Sequence, residues 1–188
     1  MAKALEEGIA PKDILEQGLL AGMGVIGDKF KLNQVFVPEV LIAARAMNAG
    51  LEVLKPALQT GDVEDKGTVV IGTVKGDQHD IGKNLVKMMM EGRGLKVIDL
   101  GVNVPAEKYL EAARDSGAQI IACSALLTTT MGEMKRVVEL VNASDLRDKV
   151  IGGAPVTDDF CQSIGADQYT PDAASAAEEA VRLAAMVS

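Results

Sequence analysis

From Gly67 onward the chain repeats one unit: a short apolar run, a loop containing glycine or polar residues, then a segment with helical periodicity. The runs fall at 68–74, 96–100, 120–123, 150–151 and 168–169, and the segments that follow them at 81–91, 106–115, 131–142, 158–164 and 173–186. Short, continuously apolar strands alternating with helices require a parallel sheet covered on both faces. Five such units predict an α/β fold, a flavodoxin-like, doubly wound, five-stranded parallel sheet. In that architecture ligands bind outside the carboxyl ends of the strands.

Residues 1–58 follow a different pattern. Pro11 suits the first turn of a helix that carries Leu15, Leu19, Met23 and Ile26 at helical spacing. A second helix is predicted from Pro38, with Val40, Ala44, Met47, Leu51, Leu54 and Leu58 recurring by threes and fours. Residues 29–37 between them form a loop of unusually apolar character. The polar stretch 59–66 (QTGDVEDK) reads as an interdomain linker. The sequence therefore divides into a small helical bundle at 1–58, a linker at 59–66 and a Rossmann-like domain at 67–188.

The predicted strand ends carry the chemistry. His79, the chain's one histidine, lies in Gly76-Asp77-Gln78-His79-Asp80-Ile81-Gly82 between the first strand and its helix. A ligating imidazole commonly gives its other N–H to a carboxylate, and Asp77 stands two residues away. A surface-loop histidine with no role is the plain alternative; the strand end, the carboxylate and the glycine favour ligation. One histidine without cysteine partners does not make a zinc site. A single protein ligand suits a metal already held by a macrocycle.

The third strand is followed by Ser124, Leu126, Thr128, Thr129 and Thr130. Helix capping would occupy one of these hydroxyls, and four within 124–130 allow a polar ligand lining as well. Gly152-Gly153 follows the fourth strand, either as a tight turn or to let a flat group approach the backbone. All three loops share one rim.

Composition excludes much else. A net charge of −8 without a basic stripe argues against nucleic acid and anionic membranes. No apolar run is long enough for a membrane span, and the N-terminus lacks signal-peptide features. Two cysteines, Cys123 and Cys161, form no CxxC and fit a reduced, cytoplasmic setting.

Asp77-x-His79-x-x-Gly82, then Ser124-x-Leu126, then Gly152-Gly153, resembles the cobalamin-binding signature of corrinoid proteins. Residues 22–58 resemble the helical cap of cobalamin-dependent methyltransferase modules, such as methionine synthase and the corrinoid proteins of methylamine, methanol and O-demethylation systems. The resemblance covers nearly the whole chain. It implies cobalamin or a related corrinoid, with His79 as lower axial ligand to cobalt, Asp77 hydrogen-bonded to it and Thr130 completing a relay. Gln78, Asp80, Ile81 and Gly82 would contact the cofactor around this ligand. Ser124, Leu126 and Thr128 would line the slot for its displaced nucleotide tail, and Gly152 and Gly153 would pack against the tail's base. From the cap, Phe30 and Val37 would cover the upper face, Val37 more loosely than the leucine common there. The opening segment is shorter than the family's first helix, so a three-sided bundle with an exposed apolar stripe and homo-oligomer formation are expected.

The resemblance implies a methyl carrier that serves a substrate-specific methyltransferase. A second methyltransferase would pass the methyl group to coenzyme M or tetrahydrofolate, and a reductive activase would keep the cobalt active. The carrier is not expected to turn over alone, and 59–66 is the expected hinge for cap movement. The rivals are a cobalamin-binding mutase subunit and a cobalamin-based sensor. The first needs a large barrel and the second an output module, and neither is encoded here. A receiver domain needs an aspartate where Cys123-Ser124 stand, and a flavin module would leave His79 without a purpose.

Overall fold

In a computed structural model, residues 1–58, 66–144, 150–154 and 157–187 are described. The linker reading at 59–66 lies, except for Lys66, outside them. The chain forms two compact units: Met1–Asp65 with Gly92–Gly94, and Lys66–Glu91 with Leu95–Ser188.

The helical unit opens with α1 (Ala2–Glu6), then runs through α2 (Pro11–Asp13), a π-helical stretch Ile14–Leu20 and α3 (Ala21–Lys31) before α4 (Val37–Leu54). Pro11 starts the first run as expected. At α4 the Glu39 carboxylate accepts the Phe36 N–H at 2.9 Å, satisfying a free donor at the helix start. Ile14, Leu15 and Leu54 make the core, with Leu19, Leu20 and Leu51 packed against it. Ala4 and Leu5 of α1 join them, so the short opening segment does contribute a helix to the bundle. Gly50 lets α4 approach closely, since a Cβ there would stand 2.8 Å from Leu19 Cδ2. The apolar spacing read as one α-helical face is met partly by π turns, and α4 ends at Leu54 rather than Leu58. Val25, Leu32, Phe36, Leu41, Ile42 and Val53 are exposed.

The second unit is a five-stranded parallel sheet of order β2-β1-β3-β4-β5, the flavodoxin-like order expected. Its strands are β1 (Thr68–Thr73), β2 (Lys96–Asp99), β3 (Ile120–Ser124), β4 (Val150–Ala154) and β5 (Gln168–Tyr169). Five helices alternate with them: α5 (Ile81–Gly92), α6 (Ala106–Ser116), α7 (Met131–Asn142), α8 (Asp158–Ile164) and α9 (Ala173–Val187). β1 is central and buried throughout, which explains its unbroken apolar run. Val70, Val74, Ile121 and Cys123 pack with Tyr109 and Ala113 of α6 and Val137, Val138 and Val141 of α7. A Cβ at Gly72 would lie 2.8 Å from the Tyr109 hydroxyl, so the glycine admits that ring. α9 instead buries small residues: Ala173, Ala174, Ala177, Ala180 and Ala184.

One reading is corrected here. Gly152 and Gly153 do not follow the fourth strand but lie inside it, paired with Ala122 and Cys123 on one side and Gln168 and Tyr169 on the other. Main-chain hydrogen bonds build the ladder, so strands on both flanks carry it through residues of low strand propensity. No described helix is long and apolar enough to cross a membrane.

Candidate functional site

The site grows from the carboxyl ends of β1 and β3, which pair in parallel up to Thr73 and Ser124. Just beyond, Val74 N–H donates to Ser124 O at 2.9 Å and the chain turns through Gly76, whose φ of +82° suits glycine. This turn buries Asp77 completely while leaving the His79 side chain half exposed.

Each Asp77 oxygen has its own partners. Oδ1 accepts the His79 N–H at 3.0 Å and stands 2.7 Å from His79 Nδ1. Oδ2 accepts from Leu126 N at 2.8 Å, Leu127 N at 3.3 Å and the Thr130 hydroxyl at 2.9 Å. Burial alone would raise the pKa of this carboxyl, but the bonds from His79, Leu126 and Thr130 outweigh it. The group is held well below the usual carboxylate range and stays charged. A charged acceptor at Nδ1 selects the neutral tautomer whose lone pair is on Nε2, the form that binds metal.

Thr130 does not take the capping part read for the hydroxyl loop. It is the residue before α7, yet its side chain caps nothing in that helix. Its hydroxyl has Asp77 Oδ2 and Leu127 O, both at 2.9 Å, as acceptors. Leu126 contributes its main-chain N–H, while its side chain is exposed, as are those of Leu127 and Ile81. Gln78 and Asp80 are exposed loop residues, and Asp80 Oδ2 accepts from Asn84 at 3.1 Å. A Cβ at Gly82 would meet nothing within 4 Å, so that flank is open. Ser124 ends β3 half-buried, Thr128 is exposed, and Gly152 and Gly153 pair within β4. Phe30 near the end of α3 and Val37 at the start of α4 are half-buried residues of the helical unit. Cys123 is buried, and burial pushes its thiol up to about 12, which leaves it no nucleophilic part.

Two residues of this constellation were not singled out by the sequence. Thr73, fully buried, donates its hydroxyl to His79 O at 2.9 Å. Asn103, in the loop after β2, accepts the Gly76 N–H at 2.7 Å and donates its own N–H to Asp77 O at 2.9 Å. Threonine at a strand end carries no distinctive signal. An asparagine two residues past a glycine, between strand and helix, is a weak hint of left-handed backbone.

Among the described residues no three His, Cys, Asp or Glu side chains gather where a bare ion could be held. The site offers one oriented imidazole on a half-exposed side chain, and Ile81, Leu126 and Leu127 are exposed on the segments that carry His79 and hold Asp77, with open space at Gly82. Those residues fit a metal that brings its own planar, largely apolar ligand. A family model described as B12 binding domain matches residues 67–181, and a second with the same description matches residues 1–55.

The chain belongs to the B12-binding corrinoid proteins.

Among the relatives of this corrinoid protein, trimethylamine corrinoid protein 1 of Methanosarcina acetivorans is 46% identical over 172 residues, spanning 89% of this chain and 80% of the relative. The dimethylamine corrinoid protein of Methanosarcina barkeri is 42% identical over 181 residues, spanning 94% and 85%. A solved methanol:cobalamin methyltransferase complex from Methanosarcina barkeri superposes with a TM-score of 0.88 at 34% identity, covering 98% of this chain and 71% of that one. A cobalamin-binding protein from Desulfitobacterium hafniense gives 0.78 at 30% identity, covering 97% and 88%.

Proposed function

We propose that this corrinoid protein binds cobalamin, or a close corrinoid, and carries a methyl group between methyltransferases, with His79 as the detachable lower ligand. The observation that carries the reading is the 2.7 Å contact from His79 Nδ1 to a fully buried aspartate that is itself held by Leu126, Leu127 and Thr130. When bound, cobalamin supplies a cobalt centre that can accept a methyl group and give it up. The protein's part is to orient one imidazole and to fix its tautomer.

Asp77 and Thr130 do this through protons. With Nδ1–H given to Asp77, Nε2 is free to act as a ligand. The exposed Ile81 and Leu126, with Gln78, Asp80 and Gly82, are assigned to the cofactor's surroundings. Ser124 and Thr128, with the Gly152-Gly153 pair, are assigned to its nucleotide tail. Phe30 and Val37 are assigned to shielding the methyl group. Faster photolysis of the methylated protein in Phe30→Ala supports that last assignment, and an unchanged rate removes it.

The relatives' names support a substrate-specific methyltransferase as one partner. A second methyltransferase that passes the methyl group to coenzyme M or tetrahydrofolate, a reductive activase, a homo-oligomeric state and cytoplasmic residence complete the proposal.

The decisive test reconstitutes the full chain with hydroxocobalamin and compares the absorption spectrum of wild type with that of His79→Ala. Loss of the nitrogen-ligated spectrum in the variant is expected; identical spectra remove His79 as the ligand. Methyl-transfer assays against methylamines, methanol, betaines and methoxyarenes with candidate partner enzymes then identify the donor.

A further inference from the structure

The His79 loop is gripped from outside by a segment that the cobalamin signature does not contain. Residues 100–104, after β2, continue the sheet's main-chain bonding onto β1: Leu100 N–H donates to Ile71 O at 2.8 Å, Thr73 N–H to Gly101 O at 2.9 Å and Val104 N–H to Thr73 O at 2.9 Å. The start of the segment is anchored as well, at the last residue of β2. Asp99 Oδ1 accepts the Gly101 N–H at 2.9 Å and the ammonium of buried Lys83, three residues into α5. The segment is therefore a fixed support on which Asn103 is presented.

Asn103 uses this support for the neighbouring loop and not for its own. Its Oδ1 accepts the Gly76 N–H at 2.7 Å and its main-chain N–H donates to Asp77 O at 2.9 Å. These bonds hold the residue that bonds His79 and the one before it. The backbone of Asn103 is left-handed, with φ of +56°, a conformation that disfavours most residues and that asparagine, aspartate and glycine adopt most readily. Glycine would satisfy the backbone alone. An acceptor that reaches Gly76 needs a short side chain with a terminal oxygen, which narrows the choice to asparagine or aspartate.

We infer that Asn103 is a positioning residue for the lower ligand: it fixes the Gly76–Asp77 backbone so that the Asp77 carboxylate and the His79 ring keep their orientation before cobalamin arrives. The inference rests on His79 being the cobalt ligand, and adds to it a residue on another loop that determines how well this ligand is presented.

Asn103→Gly keeps the left-handed backbone and removes only the acceptor, whereas Asn103→Asp keeps both. The full chain is tested in two states. Without cofactor, amide exchange at Gly76 should speed up about tenfold in Asn103→Gly, the size expected for losing one hydrogen bond, and return towards wild type in Asn103→Asp. With hydroxocobalamin, affinity should fall about 10-fold in Asn103→Gly, and the nitrogen-ligated fraction of the absorption spectrum should fall with it, again restored by aspartate.

Wild-type affinity and spectrum in Asn103→Gly, while His79→Ala changes the spectrum, overturn the inference and leave the ligand assignment standing. A loss in Asn103→Gly that aspartate does not restore also overturns it, because the acceptor is then not the cause. If His79→Ala leaves the spectrum unchanged, the ligand assignment fails and the inference with it.

Discussion

Asp77 Oδ2 accepts from three donors, two of them main-chain N–H groups, so loss of the Thr130 hydroxyl leaves it hydrogen-bonded. Thr130→Val should therefore act mildly, costing roughly 0.5–1.5 kcal/mol of stability and lowering cobalamin affinity less than tenfold. Asp77→Asn is a different change despite its equal size. Donors face both oxygens, from His79 N on one side and Leu126 N, Leu127 N and Thr130 on the other. An amide has one oxygen, so its NH2 group must confront a donor in either orientation. A cost of about 1–3 kcal/mol follows from leaving buried donors unmet, and affinity should drop about 10- to 100-fold. Chemical denaturation and titration with hydroxocobalamin measure the two effects. Equal losses in the two variants would mean that the main-chain donors do not hold Asp77 as argued.

Between elements, the end of β2 is tied to α5 by charge, and this sets a pH dependence. Burial opposes ionisation of Asp99, but the Lys83 and Gly101 hydrogen bonds and the charges of Lys83 and Lys87 prevail and lower its pKa. A carboxylate with a lowered folded pKa contributes stability above its unfolded pKa and loses it as pH falls through the folded value. The cofactor-free protein should therefore melt at a lower temperature below about pH 4. Asp99→Asn should flatten that acid limb and cost about 1–3 kcal/mol at neutral pH, because buried Lys83 loses its countercharge. Parallel acid limbs in wild type and variant would assign the pH dependence to other groups.

Packing between β1 and α6 makes an independent prediction at the same scale. Gly72→Ala would bring a methyl group 2.8 Å from the Tyr109 hydroxyl and 3.0 Å from Cζ, an overpacking cost of about 1–3 kcal/mol. The hydroxyl is buried beside the Cys123 thiol and bonds no nitrogen or oxygen among the described residues, so Tyr109→Phe removes little. Combining the two should recover part of the loss in a double-mutant cycle, and strict additivity would show that the side chains do not meet. These same elements show what the sequence makes legible. The apolar run of β1 announced itself because a central parallel strand is buried on both faces, and the Asp77–His79 pair because two residues on one loop must be neighbours. Gly72, Thr73 and Asn103 gave little sign, since their parts depend on a ring, a carbonyl and an amide brought near by tertiary packing. Gly152 and Gly153 were misplaced because glycine's propensity speaks for a turn, while the flanking strands that keep them in a ladder come from elsewhere in the chain. The π turns at Ile14–Leu20 escaped because their wider repeat still leaves apolar residues close to α-helical spacing.

At the scale of the whole molecule, the chain has a single histidine, and the proposed function gives it to cobalt. No second imidazole remains to activate a methyl donor or to protonate a departing group near neutral pH. Cys123, the buried thiol at the rim strand, is pushed up to about 12 and cannot serve as a nucleophile in its place. In the proposed cycle a carrier of this kind takes the polar chemistry at each end of the transfer from other proteins. Given cobalamin, a reductant and a reactive methyl donor, the isolated chain should take up no more than one methyl group per cobalamin and then stop. Adding a competent substrate methyltransferase and a methyl acceptor enzyme should convert this single event into continuous turnover, with a rate that saturates in either partner. Counting methylated product per carrier under both conditions decides the matter: many products per carrier without partners would mean that the chain activates donor and acceptor itself, and that residues beyond the His79 rim take part in the chemistry.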